Sequence, residues 1–279
     1  MDITNGCENV AIFLADGCRT ELLDRNFTYV PCNIPSSGFD EDLFEVSIDG
    51  CTCPVETCAP NTSCVCVKYG LNYTPDGLLT DEGLTPSNNI VLQECNSNCT
   101  CSEDCPTRVV QKGIKIRMEV FETVGKGLGV KVLETVRKGQ FLCEYAGEVL
   151  SKAEARKRID NMKYGDMNFV FIIREYTPSG VLCTYIDPRF KGNVGRFINH
   201  ACEPNLAVLP VRIQTVIPHL CLFALRDISP GEEVTYHYGQ FEPDDSSRMN
   251  MKKTKPCMCK SKHCMWFLPT VSCDININI

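Results

Sequence analysis

CTCPVETCAPNTSCVC at residues 51–66 and CNSNCTCSEDC at residues 95–105 place nine cysteines in two runs with little apolar sequence between them. Such runs are too poor in apolar side chains to form a core, so another agent must hold the region together. Three Cys-x-Cys pairs, Cys51/Cys53, Cys64/Cys66 and Cys99/Cys101, suit shared metal binding. A disulfide knot of nine cysteines would strand one thiol. Three tetrahedral zinc ions need twelve thiolate contacts, and nine cysteines supply them when three bridge two metals and six bind one. Thiolates then saturate every metal and leave no open position for a catalytic water, which makes the cluster structural. Near the other end, Cys257, Cys259 and Cys264 give three ligands of a second site, and a closed zinc site needs a fourth from elsewhere in the fold.

The remaining composition limits the function. With 279 residues and 43% hydrophobic content, the chain can build one substantial core with satellite modules. No run of about 18 uncharged apolar residues occurs, so no membrane partner is expected. Asp2, Glu8, Asp16, Arg19 and Glu21 stand where a signal peptide would be apolar, and a reducing compartment is expected. The Asn-x-Ser/Thr triplets at Asn26, Asn61, Asn72 and Asn98 are of a kind that arises often by chance. The net charge is −7, with basic residues scattered or clustered locally at 156–158 and 252–255. That balance argues against direct sequence-specific DNA binding and for a basic partner. Metallation strengthens it: nine thiolates with three zinc ions carry −3 and four with one carry −2, which takes the formal charge from −7 to −12.

Four regions are expected: an N-terminal segment at 1–47, a zinc cluster at 48–112, a β-rich domain at 113–240, and a second zinc module with its tail at 241–279. The first has no sustained period of 2 or 3.6 and reads as extended or irregular. From Ile114, apolar residues alternate with Lys115, Arg117 and Glu119 through Val120, the pattern of a half-buried strand. Further strands are expected at 130–133, 141–145, 169–174, 182–187, 207–213 and 220–225, separated by turn signals. One helix interrupts them, where Ser151 and Glu154 form a capping box ahead of good helix formers with a basic face expected to be exposed.

The order of these parts, with Asn199-His200-Ala201-Cys202-Glu203-Pro204-Asn205 inside the β-rich region, resembles the suppressor-of-variegation class of SET-domain lysine methyltransferases, in the branch associated with mariner transposases. The likeness covers about residues 45–270 and implies a mainly β, pseudoknotted SET fold with few short helices. A pre-SET module with three zinc ions and a post-SET module with one flank it. In this family Cys202 completes the site of Cys257, Cys259 and Cys264, while Cys51, Cys53, Cys58, Cys64, Cys66, Cys95, Cys99, Cys101 and Cys105 hold the other three ions.

The resemblance also implies roles in methyl transfer from S-adenosylmethionine. Lys126-Gly127-Leu128-Gly129, Phe169, Arg196, Asn199, His200 and Trp266 fall at cofactor-contacting positions, and a packed core residue is the rival reading for Trp266. Tyr238 stands at the catalytic tyrosine of the segment 232–239, Tyr145 at a channel tyrosine, and Tyr236 at a Phe/Tyr switch whose tyrosine implies mono- or dimethylation; His200 lines the same site. Transfer to a neutral amine depends mainly on alignment and a shaped polar channel, which suits such residues. Leu128, Phe169, Ala201 and His237 depart from the commoner Trp, Tyr, Ser and Asp. The function implied is histone H3 lysine methylation at the ninth or thirty-sixth residue, on the tail or nucleosome, in nuclear chromatin. Leu128, Phe169 and His237 motivate one rival, a zinc-stabilised chromatin scaffold of weak or no activity, and a non-histone substrate stays open.

Overall fold

The computed structural model describes residues 1–18, 26–53, 58, 64–67, 72–85, 92–163, 165–177, 180–239 and 255–269. Strands dominate, and the described α-helices are Asp42–Glu45, Asp81–Leu84 and Lys152–Asp160. No helix among the described residues is long and apolar enough to cross a membrane.

Three small sheets enclose the main core. In the first, Met118–Thr123 and Gly127–Val132 form an antiparallel hairpin, and Glu233–Tyr236 pairs with its second strand through Val234↔Val130. Alternation along these strands buries Met118, Val120, Val130, Val132 and Val234 on one face. The expected strand from Ile114 begins only at Met118. Ile114 and Ile116 are buried but precede the ladder, and Leu133 N donates to Arg117 O where pairing starts. The second sheet joins Gly180–Gly192 to Phe171–Thr177 and Gly147–Leu150, and the third joins Leu206–Arg212 to His219–Ala224 and Phe141–Glu144.

The N-terminal region is a belt along the edges of two of these sheets. Phe13–Leu14 pairs in parallel with Glu119 and Val120, Thr28–Tyr29 with Lys191 and Gly192, and Ile34–Pro35 with Glu148 and Val149. Each strand has two residues, too short to leave a periodic signal. Pro35 is tolerated because it sits on an edge, where a missing N–H costs no ladder bond.

A second apolar cluster, including Tyr73, Leu92, Val110, Val211 and Phe223, joins the first cysteine region to the third sheet. Glu94 is completely buried there and accepts hydrogen bonds from Tyr73 OH at 2.9 Å, Val110 N at 2.8 Å and Gln111 Nε2 at 3.0 Å. Burial pushes its carboxyl pKa up, while these donors pull the other way.

The helix Lys152–Asp160 starts at the expected Ser151, which caps it by accepting from Glu154 N at 3.2 Å, but the Glu154 carboxylate turns to Arg158 at 3.1 Å and does not close the capping box. Its basic face is not wholly exposed. Arg158 turns inward to Glu148 at 3.0 Å and to the buried Asp187 at 2.9 Å, fastening the helix to the second sheet.

Candidate active site and metal centres

At a Zn–S distance of about 2.3 Å, two thiolates on one tetrahedral ion lie about 3.8 Å apart. The sulfurs match that edge: Cys51–Cys58 is 3.6 Å, Cys58–Cys95 3.4 Å, Cys51–Cys95 3.9 Å, Cys66–Cys99 3.7 Å and Cys95–Cys105 3.9 Å. All nine cysteines fall into overlapping sets of four whose sulfurs lie within 4.8 Å of one another. Sharing of members between sets is what bridging thiolates require. Sequence reading missed Arg108, whose buried guanidinium donates to Cys95 O at 3.2 Å, Asn96 O at 2.9 Å and Cys101 Sγ at 3.8 Å. It brings positive charge to a site rich in thiolate, and a lone Arg just after Cys105 was the available signal.

The second set also assembles. Cys202, Cys257, Cys259 and Cys264 have all their sulfurs within 4.8 Å, with Cys202–Cys257 at 3.9 Å. Glu203 clamps the tail to the same loop, accepting from Lys262 N at 3.1 Å and pairing with His263 Nδ1 at 2.6 Å. Both groups are compatible with closed, structural zinc sites.

The motif containing Cys202 lies in the first sheet. Asn199–His200 runs parallel to the closing strand, with Asn199↔Thr235 and His200↔Tyr236 in register. Asn205 locks the two segments together, accepting from Thr235 N at 2.8 Å and donating to Glu233 O at 2.9 Å. Asn199 Nδ2 donates to Leu128 O and to Glu233 Oε1, both at 3.0 Å. Glu233 also takes Lys126 Nζ at 2.7 Å. This carboxylate, absent from the expected site residues, ties the glycine turn to the Asn-His segment. Glycine at 129 keeps this junction tight, because a Cβ there would stand 2.6 Å from Thr123 Cγ2, 2.9 Å from Glu233 Oε1 and 3.0 Å from Asn199 Nδ2 and would force those side chains to shift. Gly127 has φ +77 and open space around its missing Cβ. The Leu128 side chain packs into the main core, so this residue offers the site its backbone.

Three tyrosines form the adjoining wall. Ring centroids of Tyr236 and Tyr238 are 4.8 Å apart, and those of Tyr145 and Tyr236 are 6.0 Å apart. Tyr238 OH donates to Ile198 O at 3.0 Å and Tyr145 OH to Phe169 O at 2.7 Å. Burial holds all three phenols above their ordinary pKa, and neighbouring groups, Glu233 at Tyr238 and Tyr238 at Tyr145, push the same way. They therefore keep their protons and are not general bases at neutral pH. An apolar cleft bordered by Phe171, Ile173, Leu206, Val208, Pro210 and Gly239 adjoins this wall.

His200 is neutral, its pKa pushed down to about 4 by burial and then by His237, whose ring lies 4.8 Å away. Its Nδ1 accepts from Tyr238 N at 3.2 Å, which assigns the ring proton to Nε2, 3.4 Å from Cys202 Sγ. One imidazole thus connects the tyrosine segment to the second cysteine set. Phe169 lies beside two guanidiniums, Arg196 at 4.9 Å and Arg189 at 5.8 Å. Trp266 is 75% exposed on the tail module at φ +67, which rules out the packed-core reading.

A mainly β domain with cysteine frames on both sides, and an Asn-His segment beside a tyrosine wall, defines the class of SET-domain proteins. The SET domain model matches residues 127–239 and the Pre-SET motif model residues 4–108. The chain belongs to the SET-domain family and is a protein-lysine methyltransferase. It is 40% identical over 278 residues to the histone-lysine N-methyltransferase SETMAR of Rattus norvegicus, a match spanning 96% of this chain and 87% of that one. The crystal structure of the methyltransferase domain of human SETMAR superposes with a TM-score of 0.81 at 38% identity, over 96% of this chain and 97% of that one. KRYPTONITE in complex with mCHH DNA, an H3(1-15) peptide and SAH gives a TM-score of 0.72 at 28% identity, over 96% of this chain and 53% of that one.

Proposed function

We propose that the protein methylates histone H3 on lysine with S-adenosylmethionine as donor, stopping at one or two methyl groups. The target is the ninth or thirty-sixth residue of the H3 tail, free or in the nucleosome, and the work is done on nuclear chromatin without sequence-specific DNA contacts. The observation that carries this reading is the wall of Tyr145, Tyr236 and Tyr238 set against Asn199 and His200. Relatives named for histone-lysine methylation support the substrate class, and the acidic chain suits a basic tail.

The residues present fit the donor. Gly127 leaves space where a side chain would stand, Arg196 offers a cation for a carboxylate, and Glu233 with Asn199 offers acceptors for an ammonium group. These are the demands of its amino-acid part. Lys126, Leu128 and Phe169 would complete that wall, and Trp266 would cover its open side from the tail. When bound, S-adenosylmethionine supplies an electrophilic methyl group on a sulfonium.

The chain's own groups do the rest. A lysine amine with an ordinary pKa of about 10.4 has to arrive neutral, and a desolvated aromatic channel favours loss of its proton. The hydroxyls of Tyr238 and Tyr145, their protons spent on the Ile198 and Phe169 carbonyls, present oxygen lone pairs that orient the amine. Tyr236 fills the space that a more methylated amine would need. Neutral His200 holds the Tyr238 backbone without adding charge beside a sulfonium. Four zinc ions complete the protein, three on the nine cysteines at 48–112 and one on Cys202, Cys257, Cys259 and Cys264, with the SET catalytic region at 113–240 and the post-SET module at 241–279.

The test is methyl transfer from labelled S-adenosylmethionine to histone H3 by the zinc-loaded protein, with mass spectrometry locating the modified lysine. Tyr238→Phe and His200→Ala should each abolish it. An inactive protein that still binds the donor would leave the scaffold reading.

A further inference from the structure

The glycine turn of the first sheet has little of its own to hold its tip. The two strands end at the pair Thr123↔Gly127, and Gly125 between them lies in the left-handed region at φ +83. Val124 beside it is 87% exposed, while Lys126 is tied to Glu233 at 2.7 Å. Glycine-rich backbone is conformationally permissive, so the shape of such a tip depends on what packs against it. That packing comes from the tail module. A Cβ added at Gly125 would stand 3.5 Å from Cε of Met258, the one group within 4 Å of that point among the described residues beyond its chain neighbours. With no side chain at Gly125, the thioether methyl rests on bare backbone. The backbone of Met258 is itself pinned: Cys257 and Cys259 on either side belong to the second cysteine set, and Cys257 N donates to Trp266 O at 2.8 Å.

An unbranched thioether adapts to an irregular surface and makes its contact without adding charge or hydrogen bonds. We propose that Met258 is a positioning residue for methyl transfer: its methyl group, carried on backbone fixed by the second cysteine set, presses on Gly125 and keeps residues 126–129 in the shape that receives the methyl donor. The inference rests on the reading of this turn as part of the donor wall. It gives the tail module a hold on the donor site separate from the one through Cys202 and His200, and supplied by a residue that ligates nothing.

The experiment uses the full zinc-loaded chain. It reads the Kd of S-adenosylmethionine by calorimetry, the KM of donor and of an H3 peptide, and amide exchange at residues 124–127. Met258→Ala removes the contact. Donor Kd and KM should rise about four- to fifteenfold, the effect of one or two methylene groups returned to water, and exchange in the turn should quicken. Zinc content, peptide KM and kcat at saturating donor should hold. Met258→Leu keeps an apolar side chain of similar volume and should restore most of the donor affinity. Val124→Ser changes the exposed tip and should leave donor Kd at the wild-type value. If Met258→Ala binds the donor like the wild type with the turn equally protected, the role of Met258 is overturned and the reading of the donor wall stands. If the unsubstituted chain binds no donor, both fall. Loss of zinc in Met258→Ala, or equal losses for donor and peptide, would assign Met258 to packing of the tail alone and overturn the proposal.

Discussion

Replacing Gly129 by alanine puts one methyl group where the glycine turn, the Asn-His segment and the closing strand meet. The new Cβ would stand 2.6 Å from Thr123 Cγ2, 2.9 Å from Glu233 Oε1 and 3.0 Å from Asn199 Nδ2. The last two atoms are side-chain tips and can withdraw, but withdrawal breaks the 3.0 Å bonds from Asn199 to Leu128 O and to Glu233. A neutral hydrogen bond contributes about 0.5–1.5 kcal/mol and one to a charged group about 1.5–3 kcal/mol, so losing both costs about 2–4.5 kcal/mol. At 1.36 kcal/mol per decade, kcat/KM for the donor should fall about 30-fold or more if that energy is used in holding it. Thr123→Ser removes Cγ2 yet keeps the hydroxyl that donates to Gly127 O at 2.7 Å, so the double variant should recover several-fold. Initial rates with labelled S-adenosylmethionine at saturating H3 peptide, with a thermal melt alongside, make the measurement. Wild-type kcat/KM in Gly129→Ala, or no recovery on adding Thr123→Ser, would refute the reasoning.

Tyr236→Phe should shift the product of the active enzyme towards trimethyl-lysine, read by mass spectrometry of the peptide; an unchanged product distribution would sink the switch assignment. His219 adds a pH dependence: burial pulls its pKa down, but the charge and 2.9 Å hydrogen bond of Glu144 outweigh burial and hold it above its ordinary value. The stability from this pair is therefore full below the unfolded value of about 6.5 and is lost as pH rises through the raised folded value. A melting curve followed from pH 6 upwards (about that range) should decline, and His219→Gln should flatten the decline; a slope untouched by the variant counts against the pair. Native mass spectrometry should find four zinc ions, and Arg108→Gln should speed release of metal to a chelator, whereas release at the wild-type rate would deny Arg108 a part in holding the cluster.

Much of this molecule is legible in its sequence, for reasons that differ by element. The capped helix and most strands of the second and third sheets follow local rules, capping and short apolar runs bounded by turns, that act within a few residues, whereas Gly147–Leu150 lies outside every expected strand. The cysteine sets are legible because metal chemistry restricts both residue type and spacing. What escapes is held by partners far apart in the chain. Lys126 and Glu233 are 107 residues apart, and no local pattern marks a carboxylate that will meet a glycine turn. Arg158 sits on a helix face that reads as solvated, and only the fold brings the buried Asp187 under it. Ile114 and Ile116 alternate like strand residues yet are buried without a ladder, since alternation reports which side faces the core and not whether an edge is free to pair.

The belt has a consequence for how the chain reaches this state. Phe13–Leu14 can pair only once Glu119 and Val120 exist, and Thr28–Tyr29 only once Lys191 and Gly192 do. During synthesis Thr28–Tyr29 therefore waits for its sheet partner until Lys191 and Gly192 have been added. Loop closures of this length slow folding far more than they weaken the finished fold. The segment around Thr28–Tyr29 is therefore among the later parts to settle, and while it waits the neighbouring Phe27 ring has no Arg196 beside it.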